Sequence, residues 1–476
     1  LDSVAIIDSS TFDITTREVG FRPIATAGPD GDVTEPAEDA RVFVLNQGSR
    51  SVSLLDPESD QAENVRVMKR ANAIEADPSG KNAVVWYDPS EAESGEPAGD
   101  LSSVTVIADG ESYEVAVGFR VRSVHFNEDG SRALVLSDDG ISQIDLDEID
   151  DDGVAAPRPV VPDQVHPEER DDLEVLVSPD ARWAVARSIN FAGLVLLDVD
   201  ADELTVLDLP ETPTDLDLVD GDELSILTML PGSDQAMMAT IPDGFEAAAD
   251  EETDEELPDG VDGVEVFDID VEALGAASVT DDGRFALVYS TVDDEQSAVL
   301  LDLTEGEQAR LTFEKGLRGA TSDRKGESFL VYHSKDEGDP PADAGPDDRE
   351  YIEHSWGVSV VDIEEAHERL VLTDHEPGQA TLWSGDDASD ARVFLVYELP
   401  DGDLEPTHRD LITINLDNFR TDTHRLASPP ETLGPIRTTG YVYVSQIHPR
   451  GRMTFFDVDS LAPQTMTGYQ LNAGID

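Results

Sequence analysis

The sequence holds no cysteine, which removes disulfides, thiolate nucleophiles and cysteine-ligated zinc or iron–sulfur centres. Lysine is scarce: it stands only at Lys69, Lys81, Lys315, Lys325 and Lys335, so most of the 31 basic residues are arginine. No apolar run approaches the roughly 18 residues that a membrane-spanning helix needs. No asparagine opens an Asn-x-Ser/Thr sequon, so N-glycosylation finds no acceptor. There is no Gly-x-Ser-x-Gly elbow, no phosphate-cradling Gly-x-x-x-x-Gly-Lys loop, no dinucleotide-binding glycine fingerprint and no His-Glu-x-x-His pair.

The excess is in negative charge, with 105 acidic residues and a formal net charge of −74 over 476 residues. Affinity for phosphate backbones needs basic patches, so nucleic acid is not a partner, and anionic membrane surfaces are disfavoured by the same repulsion. Carboxylate surplus with little lysine fits a halophilic-like protein whose self-repulsion is screened by salt, and it equally fits an ordinary acidic secreted protein. At 39% hydrophobic the chain can still bury a core.

A turn, a strand, a polar break and a strand ending in Asp recur along the chain. Copies read GPDG…ARVFVLNQGSRSVSLLD (28–56), NEDGSRALVLSDDGISQIDLD (127–147), SPDARWAVARSINFAGLVLLDVD (178–200) and TDDGRFALVYSTVDDEQSAVLLDL (280–303). Each unit offers about four short strands, and Asp-Gly or Pro-Asp-Gly supplies the hairpin turns. Units of this length, without helical periodicity, predict an all-β fold: one β-propeller domain over 1–476. Nine units can be counted. The expected outcome is eight four-stranded blades, within a range of seven to nine, with the 215–268 unit or the last one incomplete. The strand pair at 4–19 is expected to join the unit 436–470 in one mixed blade, closing the ring without an open edge. The competing outcome is exchange of 4–19 with a neighbouring chain, which would make a homo-oligomer.

RVFVLNQGSRSVSLLD (41–56) resembles the repeat of the YVTN-type propellers found in surface-layer and lactonase-like proteins, with Phe43-Val44-Leu45-Asn46 in place of Tyr-Val-Thr-Asn. SVTDDGRFALVYS (278–290) resembles the blades of WD-repeat-like and Tol-associated propellers. The resemblance specifies architecture and leaves activity open. It implies an extracellular, cell-surface or periplasmic protein that serves as a non-enzymatic binding or structural module. The alternative it implies is a propeller enzyme, a lactonase-like hydrolase or quinoprotein-like oxidoreductase, with its site at the central channel.

Insertions at 88–103, 335–355 and 399–409 parse between the second and third strands of their units, so they should crowd one face and mark it for a protein or small-molecule ligand. The acidic segment 242–263 parses between third and fourth strands and reads as a solvated loop without apolar anchors. Among the acidic runs 145–153, 198–202 and 268–272, Asp198, Asp200 and Asp202 are the calcium candidates, since calcium wants six to eight converging oxygens. The histidines His125, His166, His333, His354, His367, His375, His408, His424 and His448 show no ligand spacing. His333 and His354 flank one insertion and His408 lies in another.

Overall fold

The computed structural model describes residues 2–469 apart from 30–39, 57–58, 60, 93–96, 150–152, 161–172, 222, 250–260, 272, 293–294, 342–343, 385–390 and 400–407. Beyond a two-stranded N-terminal hairpin, consecutive strands pair antiparallel into nine sheets in sequence order among the described residues. They are sheet 1 (23–66), sheet 2 (73–116), sheet 3 (121–145), sheet 4 (173–208), sheet 5 (216–268), sheet 6 (274–312), sheet 7 (317–373), sheet 8 (377–425) and sheet 9 (430–467). Eight have four strands, here called a to d, and sheet 3 has three. Its outer edge is met instead by Arg158, whose N–H and C=O both bond Ile141.

What makes this a β-propeller is where the core lies. Eight apolar clusters each join two successive sheets, from the sheet 1–sheet 2 seam to the sheet 8–sheet 9 seam. Side chains alternate across a strand, so one strand serves two seams. In sheet 7, Phe329 and Val331 face sheet 6 while Leu330 faces sheet 8. Burial on both faces explains why the b strands read as unbroken apolar runs. The a strands of neighbouring sheets lie side by side, as in sheets 4, 5, 6 and 7.

A second repeat, polar and buried, runs through the same sheets. In sheet 1, Asn46 Nδ2 donates to Ser53 Oγ, which donates to Asn64 Oδ1. In sheet 7, His333 Nε2 lies 2.8 Å from Ser359 Oγ, which donates to Glu368. In sheet 9, Gln446 Nε2 donates to Thr454 Oγ1, 2.8 Å from Thr465 Oγ1. Each chain links the end of strand b, the middle of strand c and strand d, which satisfies polar groups inside an apolar stack and fixes register.

The turns between strands a and b are equally regular. Asp77 accepts from the Asn82 N–H, Ser178 Oγ from Trp183 N–H, Thr280 Oγ1 from Phe285 N–H and Asp323 from Ser328 N–H. These are the side-chain-to-backbone bonds that Asp, Ser and Thr offer at turns.

Residues 4–19 do not enter the last sheet. Strands Ser3–Ile7 and Ile14–Glu18 pair with each other. Sheet 9 is complete because Pro430–Ile436 is its first strand, a segment whose two prolines hid it in the sequence. The hairpin packs by side chains instead. Phe12 sits 5.2 Å from the Tyr441 ring and 5.3 Å from Phe455, and Thr439 Oγ1 donates to Ser9 Oγ. On its other side Arg17 Nε donates to Ser59 O, and Gly20 N–H to Ser53 Oγ, both in sheet 1. The hairpin therefore bridges the first and last sheets. The unit short of a strand is sheet 3, whereas 216–268 is full.

The insertions 88–103, 335–355 and 399–409 do lie between strands b and c, as far as the described residues reach. The segment 242–263 opens as helix Asp243–Ala249 with Phe245 and Ala248 fully buried in the sheet 4–sheet 5 seam, so its start is anchored in the core. The expectation of an unanchored loop fails there because Phe245 and Ala248, three apart, share one helix face. In 335–355, helix Arg349–Glu353 buries Ile352, and the buried Lys315 ammonium donates to Ile352 O and Glu353 O.

Candidate functional site

An antiparallel meander puts its b–c and d–a connections at one end of every sheet. Five exposed large apolar residues, Met68, Phe119, Ile189, Val292 and Ile447, lie in such connections, and a sixth, Phe21, lies in the segment entering the first strand of sheet 1. Met68 and Phe119 stand on the d–a connections leading into sheets 2 and 3, and Phe21 on the segment that leads from the N-terminal hairpin into sheet 1: Phe21 is 61% exposed, Met68 62% and Phe119 48%.

Two of these tips are copies of one motif, Gly20-Phe21-Arg22 and Gly118-Phe119-Arg120. The glycine N–H donates to a strand c serine, Ser53 or Ser142. The phenylalanine N–H donates to the side chain of Ser49 or Asp139 in the b–c hairpin. Its carbonyl accepts from Ser49 N–H or Asp138 N–H. The arginine then turns left-handed, with φ 55° at Arg22 and 53° at Arg120. Glycine is required at the head because a Cβ on Gly118 would lie 2.0 Å from Ser137 Oγ, and one on Gly20 2.4 Å from Ser49 Oγ. The backbone is held on both sides while the ring stays in water. At the middle tip, Val67 N–H donates to Arg50 O, and Lys69 pairs with Asp100 and Glu114 beside the exposed Met68. These residues went unread in the sequence; the repeated Gly-Phe-Arg was the available signal.

The inner wall carries a separate group. Asp215 and Asp217 lie at the start of sheet 5 and hydrogen-bond each other. Burial, then the charge of Asp215, pushes the Asp217 carboxyl up to about 8. Elsewhere on the a strands, burial raises the Glu75 carboxyl and lowers the His125 imidazole, and both border a cavity of about 360 Å³. His125 Nε2 lies 2.9 Å from Ser123 Oγ.

The calcium candidates meet three arginines rather than one another. Asp198 pairs with Arg182 at 3.0 Å, Asp200 with Arg132 at 2.8 Å and Asp202 with Arg158 at 3.1 Å. Asp198 Oδ1 also accepts the N–H groups of Asp200 and Ala201. Among the described residues no three His, Asp or Glu side chains converge as metal ligands.

The histidines are likewise dispersed, and His166 lies outside the described residues. His333 is buried against Gly316 O and Ser359, and burial pushes its imidazole down to about 4. His354 ends helix Arg349–Glu353 on the surface. His408 stacks on His375 with centroids 3.5 Å apart, beside Tyr397; burial and then His375 lower the His408 imidazole. His424 packs on Phe456, His367 on Phe419, and His448 is on the b–c loop of sheet 9. No helix among the described residues is long and apolar enough to cross a membrane.

No protein-family model matches this chain, and no curated protein does. Solved structures do align with it. A dihydro-heme d1 dehydrogenase NirN in complex with DHE aligns with 99% of this chain and 81% of its own, at 13% identity and TM-score 0.42. A eukaryotic initiation factor aligns over 98% and 96%, at 10% identity and TM-score 0.49. The β-propeller domain of Myceliophteria thermophila Cps50 (Swd1) covers 66% of this chain and 96% of its own, at 13% identity and TM-score 0.33.

Proposed function

We propose that this propeller is an exported, cell-surface interaction module of YVTN-like repeat type. Its docking site is the b–c/d–a end of sheets 1 to 3, and the ligand is a protein with an apolar segment. One observation carries the reading: Phe21, Met68 and Phe119 are exposed just ahead of the first strands of three successive sheets, on backbones already fixed by hydrogen bonds. Aromatic and methionine side chains are the usual anchors of protein interfaces, and a rigid anchor loses little entropy on binding. In so acidic a chain, apolar contact also survives the salt that weakens charge pairing. The test is retention of host cell-envelope proteins on immobilised chain at high salt. Wild type and the outer-strand control Leu204→Ser should retain one partner that Phe21→Ser/Met68→Ser/Phe119→Ser loses by tenfold or more. Equal retention by all three would overturn the assignment.

A further inference from the structure

We propose that Asp215 and Asp217 hold one proton between them and so form a latch across the seam of sheets 4, 5 and 6, closed in acid and weakened in alkali. The pair belongs to sheet 5 but is enclosed by its neighbours. Asp215 Oδ2 accepts the Ala277 N–H of sheet 6 at 2.6 Å, tying the two sheets together through a single carboxylate. Asp217 Oδ2 is buried without a hydrogen-bond partner.

The two environments sort the proton. Burial raises the Asp215 carboxyl as well, but a backbone donor and the nearby Arg187 guanidinium work against that rise and favour its charged form. Asp217 has an orphaned oxygen and a carboxylate beside it, so its neutral form is favoured and it donates to Asp215. The groups facing the pair are few. From sheet 4 come Glu174 and Arg187; Arg187 Nε is held by Glu174 at 2.5 Å and its Nη1 by Pro213 O at 3.2 Å. From sheet 6 comes Tyr289, whose phenol is pushed up to about 12 by burial, then by Asp215 and Asp217, so it stays neutral. Among the described residues Arg187 is thus the cation that acts on the pair, and it is shared with Glu174. It cannot neutralise two further carboxylates, which is why losing the proton strains the seam.

The sign follows from the raised value. The unfolded Asp217 ionises near 3.8, while in the fold it keeps its proton to about 8. The stabilisation is complete below the unfolded value, declines as pH rises between the two, and is gone above about 8. The experiment is urea denaturation of the full chain from pH 4 to 9 at fixed high sodium chloride, wild type against Asp217→Asn. An amide at 217 can still donate to Asp215 but has no proton to lose. Relative to this variant, the wild-type unfolding constant should rise by up to tenfold per pH unit from about pH 4 and level off near pH 8. Parallel profiles would overturn the proposal, because a purely structural role moves the curves together. Should Asp217→Asn not fold, infrared spectroscopy of the wild type decides: a protonated-carboxyl stretch that titrates near pH 8 supports the latch, and its absence above pH 6 sinks it. Hydrogen exchange supplies a local readout. After correction for intrinsic base catalysis, protection of strand Leu274–Val279 should fall above pH 8 in wild type and hold in Asp217→Asn.

Discussion

His333 and Gly283 show how much single positions hold here. The His333 imidazole is 1% exposed and neutral, with Nδ1 3.1 Å from Gly316 O and Nε2 2.8 Å from Ser359 Oγ. Its value falls from 6.5 to about 4, so its contribution is complete above pH 6.5 and lost as pH drops toward 4. About 3 kcal/mol of stability is expected to vanish across that window in wild type. His333→Gln, which keeps the bond to Ser359, should flatten this acid limb in pH-dependent melts. Gly283 sits at φ 68° with Gly221 N only 2.8 Å from where a Cβ would be. Gly283→Ala therefore pays twice, in left-handed strain and in a backbone clash, and should cost about 2 kcal/mol in urea unfolding. A cost near zero would mean that the turn is free to move away from sheet 5.

At the scale of elements, the short helix Arg349–Glu353 matters more than its Asp/Gly/Pro-rich surroundings suggest. Lys315, 3% exposed, has its ammonium on the helix's last carbonyls, where cations are favoured. Replacing 335–355 by a short Gly-Ser link would strip those acceptors from a buried cation. The deletion is expected to lower stability by about 2–3 kcal/mol, and adding Lys315→Met should restore part of it. Cooperative unfolding with an unchanged midpoint would show that the insertion does not pack as described. The position of this insertion was legible, because counting strands through SFLVYH and WGVSVVD leaves it between b and c. Its anchoring was not, because one isoleucine and one distant lysine leave no periodic trace.

Over the whole molecule, charge and closure dominate. A net charge of −74 on stacked sheets repels itself, and counter-ions relieve that repulsion. Melting midpoints should rise along a sodium chloride series; a flat or falling series would remove the high-salt reading. Closure rests on the N-terminal hairpin, whose Phe12 covers the face of sheet 9 that no tenth sheet covers among the described residues. Phe12→Ala should cost about 1–2 kcal/mol for a half-buried ring. Removing residues 1–18 should lower the midpoint further while the chain stays monomeric. A truncated chain that melts like wild type but loses self-association would place the hairpin on a neighbouring chain instead.

Local chemistry determined the strands, the turns and the order of sheets. Asp, Ser and Thr at the a–b turns bond their own backbone, and b strands such as Phe329–Val331 stay apolar because both faces are buried. The sequence also decided what cannot happen here, since a chain without cysteine has no thiol chemistry. Tertiary structure decided the rest. Asp217 reads as one acid among 105, and only burial beside Asp215 makes it hold a proton near pH 8. Asp198, Asp200 and Asp202 read as a cluster, and only the placement of Arg182, Arg132 and Arg158 at three separate points of the fold gives each its own cation. Phe21 and Phe119 look like ordinary core residues until the serines beneath them pin the backbone and leave the rings outside. The reason is common to all three cases: desolvation and charge pairing depend on neighbours distant in the chain, and no local pattern records those neighbours.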